Sequence, residues 1–225
     1  MYDNLLFYII TAIVFLILIA SIIFTYFFSR AAVVRRKLQK TVEKKISSFQ
    51  NGESAKVVGT IKFIGKPLIA PLSGRQCVYY HVLVEENTGK DNWKTLIEEE
   101  IAGNVIIKDG NHYAVVETGM VKSYLVDDKK YKSGFLNDAT ETLTEYLLKH
   151  NCKSIGFFGM NKTIRYKEGI LEEGEIIAVA GKGTWKRRSE IKLEIPIERI
   201  LVIGPDGQIP VYFSDDPETV KLSEP

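Results

Sequence analysis

Cysteine and histidine are scarce in this chain, and neither sign of charge dominates it. Among 225 residues there are two cysteines and three histidines, and the formal net charge is +2. Cys77 and Cys152 are too few and too far apart for a zinc framework, which needs paired ligands at short spacing. They fit buried free thiols in a reducing compartment, with a disulfide as the lesser reading. His81, His112 and His150 show no HxxxH or HExxH spacing, and His81 reads as a hydrogen-bonded sheet histidine. No GxSxG elbow is present. Gly181-Lys182-Gly183-Thr184 superficially resembles the end of a phosphate loop, but its spacing is wrong and no helix follows, so a strand-end turn is expected. Glu98-Glu99-Glu100 and Glu172-Glu173 read as solvated faces rather than paired catalytic acids. Trp185-Lys186-Arg187-Arg188 is one short basic patch, too little to imply nucleic acid. The expectation is therefore no catalytic residue, no metal, no cofactor and no nucleic-acid partner.

Charge, proline and glycine are also absent from Leu5 to Phe28. At about 1.5 Å per residue a helix of that length covers roughly 36 Å, enough for a hydrocarbon core of about 30 Å with some tilt. A buried soluble helix rarely runs so long without charge. A cleaved signal peptide would need a basic leading segment, and Met1 to Asn4 carries no basic side chain. The expectation is a retained membrane anchor over 1–29. Asp3 is the only ionisable side chain before it; Arg30, Arg35, Arg36, Lys37, Lys40, Lys44 and Lys45 follow, opposed only by Glu43. The positive-inside rule then places the N-terminus outside and the rest in the cytoplasm. Beyond residue 45 the count is 23 Lys and Arg against 26 Asp and Glu, so the basic segment faces anionic lipid head groups more naturally than nucleic acid.

From Ser29 to Phe49 the spacing predicts a helix, with Val34, Leu38, Val42, Ile46 and Phe49 on one stripe and Arg30, Arg35, Arg36, Lys37 and Lys40 around it. Two readings stay open: a basic amphipathic helix on the inner leaflet, or a helix packing its stripe on the domain or a second copy. Residues 50–54 form a linker, closing a juxtamembrane unit over 30–54. From Ala55 alternation replaces helical period, and strands are expected around Val57 to Phe63, Cys77 to Glu85 and Trp93 to Glu99. A hairpin joins Val105-Ile106-Ile107 to Tyr113-Ala114-Val115-Val116 through Asp109-Gly110. Thr118 to Phe135 is more polar. Asn137 or Asp138 caps a helix running to about His150, and Gly156-Phe157-Phe158-Gly159 interrupts. Strands resume at Thr163 to Ile170, Glu175 to Thr184 and Glu190 to Leu193, and a second hairpin turns at Pro205-Asp206-Gly207 between Ile200 to Ile203 and Ile209 to Phe213. The polar tail, 214–225, should fray. Without internal repeats, the fold class is one N-terminal transmembrane helix plus a β-rich α+β domain over 55–213: a small, partly closed antiparallel barrel with one main inserted helix.

Gly59-Thr60-Ile61, then Pro67 to Gly74, then Cys77-Val78-Tyr79-Tyr80 resembles the GIDE-type domain, also called the BAM (beside-a-membrane) domain. That domain occurs in mitochondrial membrane-anchored E3 ubiquitin ligases and in bacterial and archaeal membrane proteins. Asp109-Gly110 matches a later turn, Arg165 to Glu168 an Arg-x-x-Glu segment, and Gly174 to Gly181 a final strand, so motif order spans roughly Lys56 to Lys186. The ligases add a second transmembrane helix and a RING finger, which two cysteines cannot build. The resemblance implies a single-pass protein, in a prokaryote and there the inner membrane, presenting an interaction or sensing domain beside the bilayer without its own catalytic site. The alternative is a component of a ubiquitin transferase-like activity with a RING from elsewhere.

Pro71, Ser73 and Arg75 are the candidate partner contacts, since proline and glycine can hold an exposed loop in shape. Gly59, Pro67, Gly74, Cys77, Tyr79, Tyr80, Asp109, Gly110, Glu168, Gly174 and Gly181 are candidate structural positions. The competing account makes the whole loop structural, with Tyr79 and Tyr80 filling the core. An unknown protein partner, the membrane, and self-association through the anchor and the Val34–Phe49 stripe are the expected contacts.

Overall fold

The computed structural model describes residues 2–90, 92–133, 139–155, 161–191, 193 and 197–221. It begins with helix α1 (Tyr2–Phe28), whose segment Leu6–Phe28 is long and apolar enough to cross a membrane and has none of its most apolar window buried in the protein. Ser29 breaks that helix and caps the next, α2 (Arg30–Lys40), by accepting a hydrogen bond from the Ala32 amide.

The helix predicted as far as Phe49 ends at Lys40, because the stripe serves two different cores. Val34 and Leu38 are buried against Ala178 and Ala180, while Ile46 and Phe49 enter the interior of a barrel. Val42, between them, is 70% exposed. From Thr41 the chain is extended: the Lys56 amide donates to the Val42 carbonyl and the Lys44 amide to the Lys56 carbonyl, both at 2.8 Å. A 3₁₀ turn at Ile46–Ser48 follows.

The barrel is closed by five strands in the order β1 (Ser54–Lys62), β6 (Ile106–Asp109), β7 (His112–Val116), β12 (Arg199–Gly204) and β11 (Ile176–Arg187), with β1 pairing back onto β11. Val57, Ile61, Ile107, Ile177, Val179, Leu201 and Ile203 fill it from alternate positions. Strands meet closely at Gly181, where an added Cβ would lie 2.7 Å from the Gly204 carbonyl oxygen, and at Gly183, which the Phe49 ring covers. The predicted hairpin around Asp109-Gly110 is present, with Gly110 at φ +58 as the first residue of its two-residue turn.

The second predicted hairpin is not a hairpin. β12 and β13 (Val211–Ser214) both run antiparallel to β11, end to end along the same edge of it, and Pro205-Asp206-Gly207 bridges the gap. Nor is the sheet wholly antiparallel, since β12–β7 and β13–β8 (Val121–Tyr124) are parallel pairs. Glu190 to Leu193 holds no strand in its described residues; a 3₁₀ turn occupies Arg188–Glu190.

A second sheet packs beside the barrel in the order β5 (Trp93–Ala102), β4 (Tyr79–Asn87), β10 (Ile164–Leu171) and β9 (Lys129–Lys132). A two-stranded ribbon, β2 (Leu68–Ile69) with β3 (Gln76–Cys77), frames the Pro67–Gly74 loop; Val78 separates β3 from β4, where one continuous strand was expected. Helix α3 (Glu141–Lys149) covers one face of the second sheet with Leu143, Tyr146 and Leu147. Its cap is Thr140, whose hydroxyl accepts from the Leu143 amide; Asn137, Asp138 and the 156–159 interruption lie outside the described residues. Among the described residues of the 214–225 tail, α4 (Pro217–Val220) starts from the buried cap Asp216 and sets Val220 against α2. Both cysteines are free thiols.

Candidate functional site

The loop that carries Pro71, Ser73 and Arg75 is strapped to the domain from behind. Gly74 turns the chain at φ +74, and the Gly74 amide donates to the Ala70 carbonyl while the Ala70 amide donates to Arg75. Glu168, fully buried on β10, accepts the Leu72 amide at 2.8 Å, and Lys129 Nζ donates to the Leu72 carbonyl at 2.8 Å. Arg75 embraces Glu172 with two N–H groups, one at 2.9 Å, and lies 3.4 Å from Asp128. The Glu172 hydrogen bond, aided by both carboxylates, raises the Arg75 pKa above its ordinary value. Arg75 is therefore a brace, only half available to a partner. Pro67 and Pro71 are half-buried, Ser73 Oγ is buried without a hydrogen bond, and Ile69 projects 56% exposed.

The juxtamembrane helix is the second assembly. Arg30, the first residue of α2, donates from Nε to the Ser123 carbonyl at 2.6 Å and from Nη2 to Ser123 Oγ at 2.9 Å, and pairs with Glu100. Glu100 also accepts the Tyr79 hydroxyl at 2.6 Å and the Ser123 hydroxyl at 2.8 Å. Burial would raise the Glu100 pKa, but the Tyr79 hydrogen bond and the Arg30 charge outweigh it and hold it below the ordinary value. Burial, reinforced by Glu100, pushes the Tyr79 phenol upward, so it stays a donor. Arg35 pairs with buried Asp216 and stacks over Tyr124; Arg36 folds back onto the Ala32 carbonyl and the Phe27 ring; Lys37 lies over Tyr212, and Lys40 is exposed. Of the two readings of this helix, its apolar stripe takes the domain-packed one, and two of the five basic residues named as membrane-facing are spent on carboxylates of the domain.

The third assembly lies on the face of the second sheet beneath α3. Glu99 accepts the Tyr80 and Tyr146 hydroxyls at 3.2 and 2.9 Å, and its other oxygen is 3.8 Å from His150 Nε2. Glu98-Glu99-Glu100 is thus no uniform solvated face. Alternation sends Glu98 and Glu100 toward Arg30 and Glu99 toward α3, and only Glu98 stays mostly in solvent. Burial, with Glu168 and Glu172 adding to it, pushes the Cys77 thiol up to about 11, which keeps it an inert core thiol. Tyr79 is fully buried and Tyr80 half-buried, so neither offers an open aromatic contact.

The remaining motif positions lie at turns and close strand contacts. Asp109 accepts the Ile46 amide at 3.0 Å, tying the 3₁₀ turn to the hairpin. Gly59 abuts the Lys108 carbonyl, and Gly174 turns at φ +93. Sequence reasoning missed Ser123, Asp216, Tyr146 and His150 as members of these assemblies. Each is joined to its partners by strand pairing or helix packing over a long separation, which leaves no local mark. Among the described residues no three His, Cys, Asp or Glu side chains are placed to share a metal ion. Compared with family models, with curated proteins and with solved structures, the chain matches none.

Proposed function

We propose that this chain is a single-pass membrane protein whose GIDE-like domain is held against the bilayer as an interaction or sensing module, with no catalytic site of its own. The observation that carries this reading is the clamp on α2. The first charged residue after the apolar helix, Arg30, is bonded into the Tyr79–Glu100–Ser123 network, and Arg35 is bonded to Asp216 near the chain's other end. An anchor joined in this way delivers the domain at a fixed height instead of on a flexible tether. The face left for a protein partner is the braced loop over 67–75. Its backbone is tied down by Glu168 and Arg75 while Ile69 projects into solvent, so a partner would lose little entropy on binding it. The test is cross-linking capture of the full chain from its own membranes, with wild type compared to Ile69→Asp. Loss of one defined partner in the variant is the expected result. An unchanged set of partners would remove the loop from the interface.

A further inference from the structure

The paired strands of the second sheet set an unusual row of side chains beneath α3. Across one rung, on the face that α3 covers, stand Glu99 on β5, Val82 on β4, Glu168 on β10 and Lys129 on β9. At about 4.8 Å per strand the two glutamates stand roughly 10 Å apart at the backbone. The adjoining rungs bring Tyr80 on one side and the stacked pair Tyr131 and Tyr166 on the other, and Tyr146 closes the layer from α3.

Glu168 is 0% exposed, and its second oxygen has no hydrogen-bond partner. Lys129, its neighbour across the strand pair, is directed to the Leu72 carbonyl instead. Among the described residues only two other buried side-chain atoms lack a hydrogen bond: Ser73 Oγ, next to Leu72, and His150 Nε2, against Tyr146 and Glu99. All three therefore belong to the layer between the sheet, α3 and the loop. The Leu72 amide serves one oxygen of Glu168 and the Lys129 ammonium stands nearby on the Leu72 carbonyl, but a buried carboxylate oxygen without a donor of its own stays costly until one reaches it.

We propose that this layer is a binding site for a small organic ammonium group. The unpartnered oxygen of Glu168 would take one N–H, tyrosine rings would supply cation–π faces, and Glu99 would set the field at the entrance. Glu99 and His150 are the half-exposed members of the layer, so the ligand would enter past them, at the C-terminal end of α3, where helix carbonyls also favour a cation. The proposal goes beyond the membrane-docking reading and stands or falls apart from it.

Ethylammonium, titrated into the full-length protein in detergent at constant ionic strength, should bind saturably and raise the melting temperature. Ethanol, its neutral counterpart, should do neither, and tetramethylammonium, which has no N–H to donate, should bind at least severalfold more weakly. Glu168→Gln keeps an acceptor for the Leu72 amide and should weaken ethylammonium binding at least tenfold. If that variant does not fold, Glu99→Gln, which removes the charge at the entrance, should still lower the affinity severalfold. Equal binding of ethanol, or unchanged affinity in the variants, would overturn the proposal. So would a protonated-carboxyl infrared band that Glu168→Gln abolishes and ethylammonium leaves in place, which would mean that a proton alone satisfies Glu168.

Discussion

Asp215 and Asp216 are adjacent in sequence, and their carboxylates meet opposite surroundings. Asp216 reaches Arg35 and caps α4, whereas Asp215 has no cationic partner: it accepts the Val126 amide and its own, and lies near Glu175 and Asp128. Burial, reinforced by those two acids and only partly offset by the Val126 hydrogen bond, pushes the Asp215 carboxyl up to about 7. An unfolded aspartate titrates near pH 4. Between these limits the folded chain holds a proton that the unfolded chain has lost, so this group's contribution to stability falls as pH rises from about 4 to about 7 and is flat above. Asp215→Asn keeps an acceptor for Val126 and removes the titration. It should raise the melting temperature at pH 8 by several degrees and much less at pH 4.5. Equal gains at both pH values would show that Asp215 ionises normally in the fold.

At the scale of elements, α2 lies between the start and the end of the chain. Val34 and Leu38 bury themselves on Ala178 and Ala180, and α4 returns with Asp216 and Val220 to hold the helix there. Arg35→Ala removes a charge-assisted hydrogen bond that is about one-third exposed on its arginine side, so a loss of about 1–2 kcal/mol is expected. Tryptic cleavage after Lys37 and Lys40 should then speed up by about tenfold, read by mass spectrometry of the nicked chain. An unchanged rate would mean that the apolar contacts alone hold α2. The sequence made the apolar half of this clamp legible, because Val34 and Leu38 sit four apart on a helix. It hid the other half, since nothing near Arg35 marks Asp216, 181 residues away, as its partner. The same division runs through the fold. β1, β4 and the β6–β7 hairpin follow from local alternation and a glycine turn. β8 and β9 lie in a polar stretch and exist through pairing with β13 and β10 far along the chain. Glu98 to Glu100 looked solvated because a run of three acids shows no period. The pleat nevertheless divides it, sending Glu99 and Glu100 to separate buried hydroxyl networks. The loop over 67–75 was recognisable as a turn. Whether Arg75 projected or folded back depended on Glu172, 97 residues on.

For the whole molecule, these contacts make the direction of the anchor and the placement of the domain one question. Arg30 and Arg35 are engaged with the domain, yet Arg36, Lys37 and Lys40 carry no carboxylate partner among the described residues, and on the helix that follows the apolar one they leave a basic margin, with Lys37 and Lys40 exposed. Such a margin is held on the cytoplasmic side by the insertion machinery and attracted by anionic head groups. If α1 spans the membrane as proposed and the clamp is intact, the expected arrangement has the β-rich domain on that side with the margin and the N-terminus on the other. A protease added to intact cells should then leave the domain whole, and the same protease added after permeabilisation should digest it. A cysteine placed at Asn4 should, conversely, react with an impermeant maleimide from outside. Digestion of the domain in intact cells, together with a silent residue 4, would reverse the orientation. It would also turn the basic margin outward, away from the leaflet that its charge fits.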